Sequence, residues 1–251
     1  MGWLTEWKRK RVLERHRIDD ALWAKVCSGF SFLSVLPAAE GARLRETTLL
    51  FLAEKELVGA HGLELTDFMR VSVAAQACLP VLELGLDWYA DFTGIVVYPG
   101  DFRVRRTYTD EDGVVHEWDD ELAGEAMPGG PVVLSWDAAA NDPLLNVVIH
   151  EFAHKLDMLN GTADGVPPLH AGMDRKRWIQ VFEEAYEGFC DAVERGKDTW
   201  LDPYAAEHPS EFFAVISEAF FEHPAETQRR YPDVYGQLRL FYRQDPQGRI
   251  A

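Results

Sequence analysis

Residues 150–154 read His-Glu-Phe-Ala-His inside a segment that is apolar nearly all round a helix. Leu144, Leu145, Val147, Val148, Ile149, Phe152, Ala153, Leu156 and Leu159 form the run. Such a helix belongs in a core, not on a surface. Its two imidazoles and carboxylate are then costly to bury, about 2–7 kcal/mol for each unpartnered polar group. His150 and His154, four apart, project from one face one turn apart. Glu151 lies about 100° round from His150. Whatever fold forms must bury this helix and give the three groups a partner.

The segment carries its own punctuation. Asn141-Asp142-Pro143 reads as a helix start, with Asp142 as N-cap and Pro143 first in the helix. Asn160-Gly161 reads as a stop. Two core histidines satisfied by neighbours are the ordinary alternative, but a single metal ion satisfies both at once. H-E-x-x-H on a helix is the spacing that binds zinc through its histidines, with the glutamate addressing a water without ligating the metal. The reaction class is attack of zinc-activated water on a peptide carbonyl, with Glu151 as proton acceptor.

A catalytic zinc usually takes three protein ligands. The metzincin pattern needs Gly three residues after His154 and His six after it; Asp157 and Asn160 stand there. A glutamate from a second helix is the alternative, and Ser210 to Phe221 fits. Ser210 is a good N-cap with Pro209 before it. Phe212, Phe213, Ile216, Ala219 and Phe220 make one face, and Glu211, Ala214, Val215, Glu218 and Glu222 the other. Asp157 shares the face of the histidines and can accept an imidazole N–H, fixing its tautomer. Tyr204, in a loop beside Pro203, offers a phenol that can donate to an oxyanion. His208 and His223 read as caps or surface residues. His116 and His170 sit in polar stretches without a geometric argument.

Several segments together resemble the Mlc titration factor A family of bacterial zinc peptidases. They are His150 to Asp157, Tyr204-Ala205-Ala206, Ser210 to Glu218, Cys78 to Trp88 and Phe241 to Pro246. The resemblance covers most of the chain in order. A weaker likeness is to the anthrax lethal factor catalytic domain, which shares the E-F-F-A segment. The resemblance implies Glu211 as third ligand, with Glu218 as the alternative or as a group behind the ligands. It supports Tyr204 near the metal. It implies one zinc per chain, an aminopeptidase-like preference for small substrates and regulated activity linked to a glucose repressor of the Mlc type. A non-catalytic, repressor-sequestering protein with a structural zinc is the rival; the open fourth ligand position argues against it.

The chain of 251 residues has a formal charge of −17. That field repels nucleic acid and favours basic or amine-bearing partners. Cys27, Cys78 and Cys190 are odd in number, far apart and form no C-x-x-C pair, which suits a reducing, cytoplasmic compartment. The basic start, Met1 to Arg11, lacks the apolar stretch of a secretion signal and reads as a short solvated arm. No run reaches transmembrane length, so no membrane partner is expected.

The fold class expected is α+β and mainly helical: a zincin-like (gluzincin) core with a small sheet on the H-E-x-x-H helix. It reads as a single domain over 1–251, softly divided into a helical 1–91 and a core of 92–251. Helices are expected over Asp19–Cys27, Pro37–Leu57, Asp67–Cys78 under a Thr66 cap, Arg175–Arg195 and Asp233–Arg243. Strands are expected over Gly94–Tyr98 and Gly130–Trp136, with Phe102–Thr109 and Val114–Trp118 paired across Asp110-Glu111-Asp112-Gly113. Val132 to Trp136 is the candidate edge on which a peptide would lie. The loop 161–170 and the residues from Gln244 onward are candidates to cover the site.

Overall fold

The computed structural model describes residues 3–109, 115–141 and 146–249. Helices dominate and surround a small mixed sheet. Helices α1 (Trp3–Arg15), α2 (Asp20–Gly29), α3 (Ser31–Ser34) and α4 (Ala38–Glu54) lead into strand β1 (Glu56–Gly59). Helix α5 (Asp67–Cys78) returns the chain to β2 (Gly94–Tyr98). A two-stranded ribbon follows, β3 (Phe102–Thr109) with β4 (Val115–Leu122), antiparallel from Phe102↔Leu122 to Thr109↔Val115. The acidic turn expected between them, Asp110 to Gly113, lies outside the described residues. Next come β5 (Gly124–Ala126), β6 (Val132–Ser135), α6 (Trp136–Asn141) and α7 (Val147–Asp157). Helices α8 (Arg175–Glu194), α9 (Pro209–Glu222), α10 (Pro224–Arg230) and α11 (Pro232–Tyr242) complete the chain.

Local signals explain many of the boundaries. Thr66 caps α5 by accepting from the Met69 N–H, and Asp19 caps α2 by accepting from Leu22. Elsewhere the structure differs from expectation. Glu56 and Leu57 leave the helix expected over Pro37–Leu57 and join β1, where a parallel partner takes up their backbone groups. The basic start is no solvated arm: it forms α1, and Arg9 bonds Glu54 on α4 and pairs with Asp87. Asp142, Pro143, Leu144 and Leu145 lie outside the described residues; α7 has its N-cap at Asn146, whose Oδ1 accepts from Ile149 N–H at 2.9 Å.

The sheet runs β1-β2-β6-β5, with the first three strands parallel and β5 antiparallel to β6. Strand β6 is therefore interior, and all four of its residues are buried. The expected substrate edge at Val132–Trp136 is thus corrected: the edge is β5, a three-residue strand. Nothing in its own sequence alternates strongly enough to announce it.

Every residue of α7 is buried. One side packs on β5 and β6; another packs on α9. The aromatic face of α9 turns the other way. Phe213 meets Trp178 and Phe182 of α8 and Phe241 of α11, with ring centroids 6.1–6.2 Å apart. Helix α9 is thus clamped between an aromatic core and α7, and its acidic face is pressed along the histidine helix.

Candidate active site

The α7–α9 contact is a line of polar pairs rather than an apolar seam. Asn146, at the start of α7, donates its N–H to Glu218 Oε2 (2.8 Å) and its Nδ2 to Gln76 Oε1 (3.0 Å) and Glu222 Oε1 (2.8 Å). One turn on, His150 Nδ1 meets Glu218 Oε1 at 2.6 Å. At the far end Glu211 Oε2 lies 3.1 Å from His150 Nε2 and 3.2 Å from His154 Nε2, and the two Nε2 atoms are 3.1 Å apart. Glu211 and Glu218, seven apart, fall two turns apart on one face, so both reach the same helix.

The spacing at Glu211 fits a metal. Zinc bonds of about 2.0–2.1 Å at tetrahedral angles set donor atoms about 3.3 Å apart. The three donors stand at nearly that spacing, with two nitrogens and a carboxylate oxygen converging on one point. Two buried imidazole nitrogens and a half-buried carboxylate oxygen facing each other otherwise need a proton or a cation between them. The charges agree. Burial alone would raise the Glu211 carboxyl, but hydrogen bonding with both histidines outweighs it and holds the group well below the carboxylate range. Burial likewise works to lower His150, and its bonds to Glu211 and Glu218 push it well above the usual imidazole value instead. This is a pocket of negative potential built for positive charge.

A ligating His150 presents Nε2 bare, so Nδ1 carries the proton and donates to Glu218. The sequence assigns that holding role to Asp157, and the structure corrects it. Asp157 Oδ2 accepts the Gly165 N–H at 2.8 Å, tying down the loop after α7. Burial raises its carboxyl to about 7.

Glu151 is buried beside the donor trio and under β5. A Cβ placed on Gly124 would lie 2.4 Å from Glu151 Oε1 and 2.6 Å from Val147 Cγ2. Glycine is needed because helix and strand approach too closely there for any side chain. Burial raises the Glu151 carboxyl, His150 and His154 oppose that, and Glu211 and Glu125 add to it. Tyr204, from a 3-10 turn beside α9, brings its ring centroid to 6.2 Å from that of His150. Burial and the charges of Glu211, Glu207 and Glu151 hold its phenol well above the usual value, so it stays a donor.

These groups line a cleft of about 480 Å³, bounded by β5 on one side and by Met127 and Pro128 beyond it. The β5–β6 turn is fastened from below by Lys155, a wholly buried residue of α7. Its Nζ donates to Met127 O (3.0 Å) and pairs with Asp91 (3.1 Å). Lys155, Gly124 and Asn146 are positioning residues that periodicity alone does not reveal. Only the Asn before an apolar run carries a local sign, and the stronger Asp-Pro signal upstream masks it. The other histidines stand apart. His208 is the N-cap of α9, displacing the expected Ser210; His223 is its C-cap; His170 bonds Phe241 O. The side chain of His116 lies outside the described ones. Of the two expected covers, Ala163 of the loop lines the cleft. The tail is fastened elsewhere, Gln244 to Leu79 O and Arg249 to Glu40.

A histidine pair on one helix and a carboxylate from a second form a cluster that could hold a metal ion, beside a buried glutamate at an open cleft. The chain belongs to the glucose-regulated metallo-peptidase M90 family, whose model matches residues 4–243. It is thus a metallopeptidase, and the family implies a catalytic metal. It is 38% identical over 224 residues to Mlc titration factor A of Yersinia enterocolitica, covering 87% of this chain and 84% of that protein. It is 36% identical over 250 residues to an uncharacterised protein of Synechocystis, covering 97% and 90%. Among the described residues no helix is long and apolar enough to cross a membrane.

Proposed function

We propose that the chain is a zinc peptidase of zincin type and gluzincin ligand set, acting on small peptides from their amino ends. The observation that carries this is the meeting of His150, His154 and Glu211 donors within 3.1–3.2 Å of one another, beside Glu151 on the cleft wall. Those three residues would hold one zinc. When bound, the ion supplies a Lewis acid that polarises the carbonyl and makes water acidic near neutrality. Glu151 takes the proton from the attacking water and returns it to the leaving amine. Tyr204 donates to the carbonyl oxygen as it becomes tetrahedral. Glu218 keeps His150 in its ligating tautomer.

Strand β5 receives the peptide. Ala123 O accepts from Ser135 and Met127 N–H donates to Pro131, so this alternate set of backbone groups faces β6. Gly124 and Ala126 then turn theirs to the free edge, where an extended peptide can pair. The test is metal analysis with hydrolysis of a panel of aminoacyl and amino-blocked peptide anilides. One zinc per chain and cleavage abolished by chelation are expected; absence of bound metal overturns the reading.

Gly124→Ala tests the contact between strand and base. The added methyl must displace Glu151 or lift β5, and a 1 Å misplacement can cost about 10²-fold. Loss of about 10²-fold in kcat with zinc content unchanged is expected; near-normal kcat would show that the contact does not hold Glu151.

The relatives named for Mlc titration favour a second, compatible role: binding a repressor of the Mlc type in the cytoplasm. Such binding would survive Glu151→Gln, and a titration of that variant with the repressor separates it from peptidase action.

A further inference from the structure

The cleft changes character along α7. Gly124 sits over Val147 and Glu151, where the chemistry lies. Further along β5, the Met127 carbonyl accepts from Lys155 Nζ at 3.0 Å, so strand and turn run in the same sense as the helix. Met158 follows His154 by four and so lies one turn further along the histidine face. The loop after α7 is pinned at the same level. Gly165 N–H donates to Asp157 (2.8 Å), Asn160 Nδ2 to Val166 O (2.7 Å) and Trp178 Nε1 to Gly165 O (2.9 Å). Beyond His154 the cleft is therefore lined by Met127, Pro128, Met158 and Ala163. Lys155 fastens one wall and Asp157 the other, so this end is a fixed apolar recess. The proposed chemistry uses none of the four side chains. Met127 is among the large apolar residues left exposed, at 37%, and such surface gains from being covered.

We propose that this recess takes the side chain of the residue before the scissile bond and selects an apolar one of leucyl or methionyl size, an inference that rests on the peptidase reading. The direction follows from the sheet. Antiparallel pairing is the stronger arrangement, and a peptide antiparallel to β5 runs from the Met127 end towards Gly124. With its scissile carbonyl at Glu151, the preceding residue falls at the apolar end and the following one towards Leu122. In a peptide trimmed from its amino end, that preceding residue is the first. A charged side chain there would leave water without gaining a partner. An alanyl side chain is too short to cover the methionines. Two methionines make an adaptable wall, so branched and unbranched chains of that size fit alike.

Two sets of dipeptide amides test this on the full chain. One set varies the first residue before Ala, and the other varies the second residue after Ala, each through Leu, Met, Phe, Ala, Lys and Glu. The wild type should cleave Leu-Ala and Met-Ala amides about 10–100-fold better in kcat/KM than Ala-Ala, Lys-Ala or Glu-Ala amides, within the range for added methylenes in an apolar pocket. The second set should show little spread. Ala163→Leu, which fills the recess from the loop, should lower the ratio of Leu-Ala to Ala-Ala cleavage by about 10-fold or more. Met158→Ala, which widens it, should move the preference towards Phe-Ala. Zinc content and thermal midpoint identify a variant that misfolds, and the other variant then decides. A readout independent of turnover is methyl NMR of the five methionines. Leucinamide should shift the Met127 and Met158 resonances, and alaninamide should shift them less at equal concentration. Equal cleavage across the first set, a preference for Lys or Glu, or selectivity carried by the second residue overturns the proposal. So does a preference that neither folded variant alters, or leucinamide leaving both resonances unmoved. In each of those cases peptide is still cleaved and the peptidase reading stands. If the chain holds no zinc and cleaves no amide, that reading falls and the proposal with it.

Discussion

Glu151→Gln should lower kcat/KM on a cleaved peptide by about 10²–10⁴-fold, the usual contribution of general acid–base catalysis, while zinc content stays at one per chain. Glutamine has nearly the same shape, so it fits under Gly124 and keeps its distance from the histidines. What it lacks is the ability to take and return a proton. The site prepares Glu151 to do so. Burial raises its carboxyl towards neutrality, and the neighbouring acids Glu211 and Glu125 reinforce the effect against the two histidines. Activity measured beside metal analysis separates the outcomes. A variant that keeps more than about a tenth of wild-type kcat/KM removes Glu151 from the base role. A variant that loses its zinc shows instead that Glu151 helps to hold the metal.

Glu211→Gln should weaken zinc binding by well over about 100-fold, whereas Glu218→Gln should weaken it by about 10–100-fold, the range for a partner behind a ligand. The difference follows from position. Glu211 lies against both Nε2 atoms, whereas Glu218 touches only Nδ1 of His150. The affinity should also fall in acid. Without metal, His150 sits well above the usual imidazole value, so it holds a proton near neutrality that an incoming ion must expel. Lowering the pH therefore favours the protonated, metal-free site. Competition against a chromophoric chelator at two pH values reads both effects. If Glu218→Gln loses the metal and Glu211→Gln keeps it, the ligand role passes to Glu218.

Much of the site is local in origin and so was legible along the chain. Two histidines four apart share a face in any helix, and the apolar run around them requires burial; α7 is buried throughout. The two faces of α9 follow from its 3.6-residue period in the same way. The helix cap at Thr66 depends on a contact three residues away and appears as its residue type implies.

Contacts between distant segments were not legible. The cap of α7 falls at Asn146 because Gln76, Glu218 and Glu222, from two other helices, converge on that side chain and its N–H. Asp157 Oδ2 bonds a loop amide and no histidine, because the chain after Gly161 folds back over α7. The sheet ends on β5 rather than β6, and a three-residue strand exists only through the partner it pairs with. Gly124 and Lys155 are ordinary residues in sequence, and each acquires its place where a strand or turn meets α7. Periodicity and spacing determined which side chains share a face and what chemistry they can perform. Only the tertiary structure decided which faces meet, because pairing, close approach and charge balance are set by residues tens of positions apart.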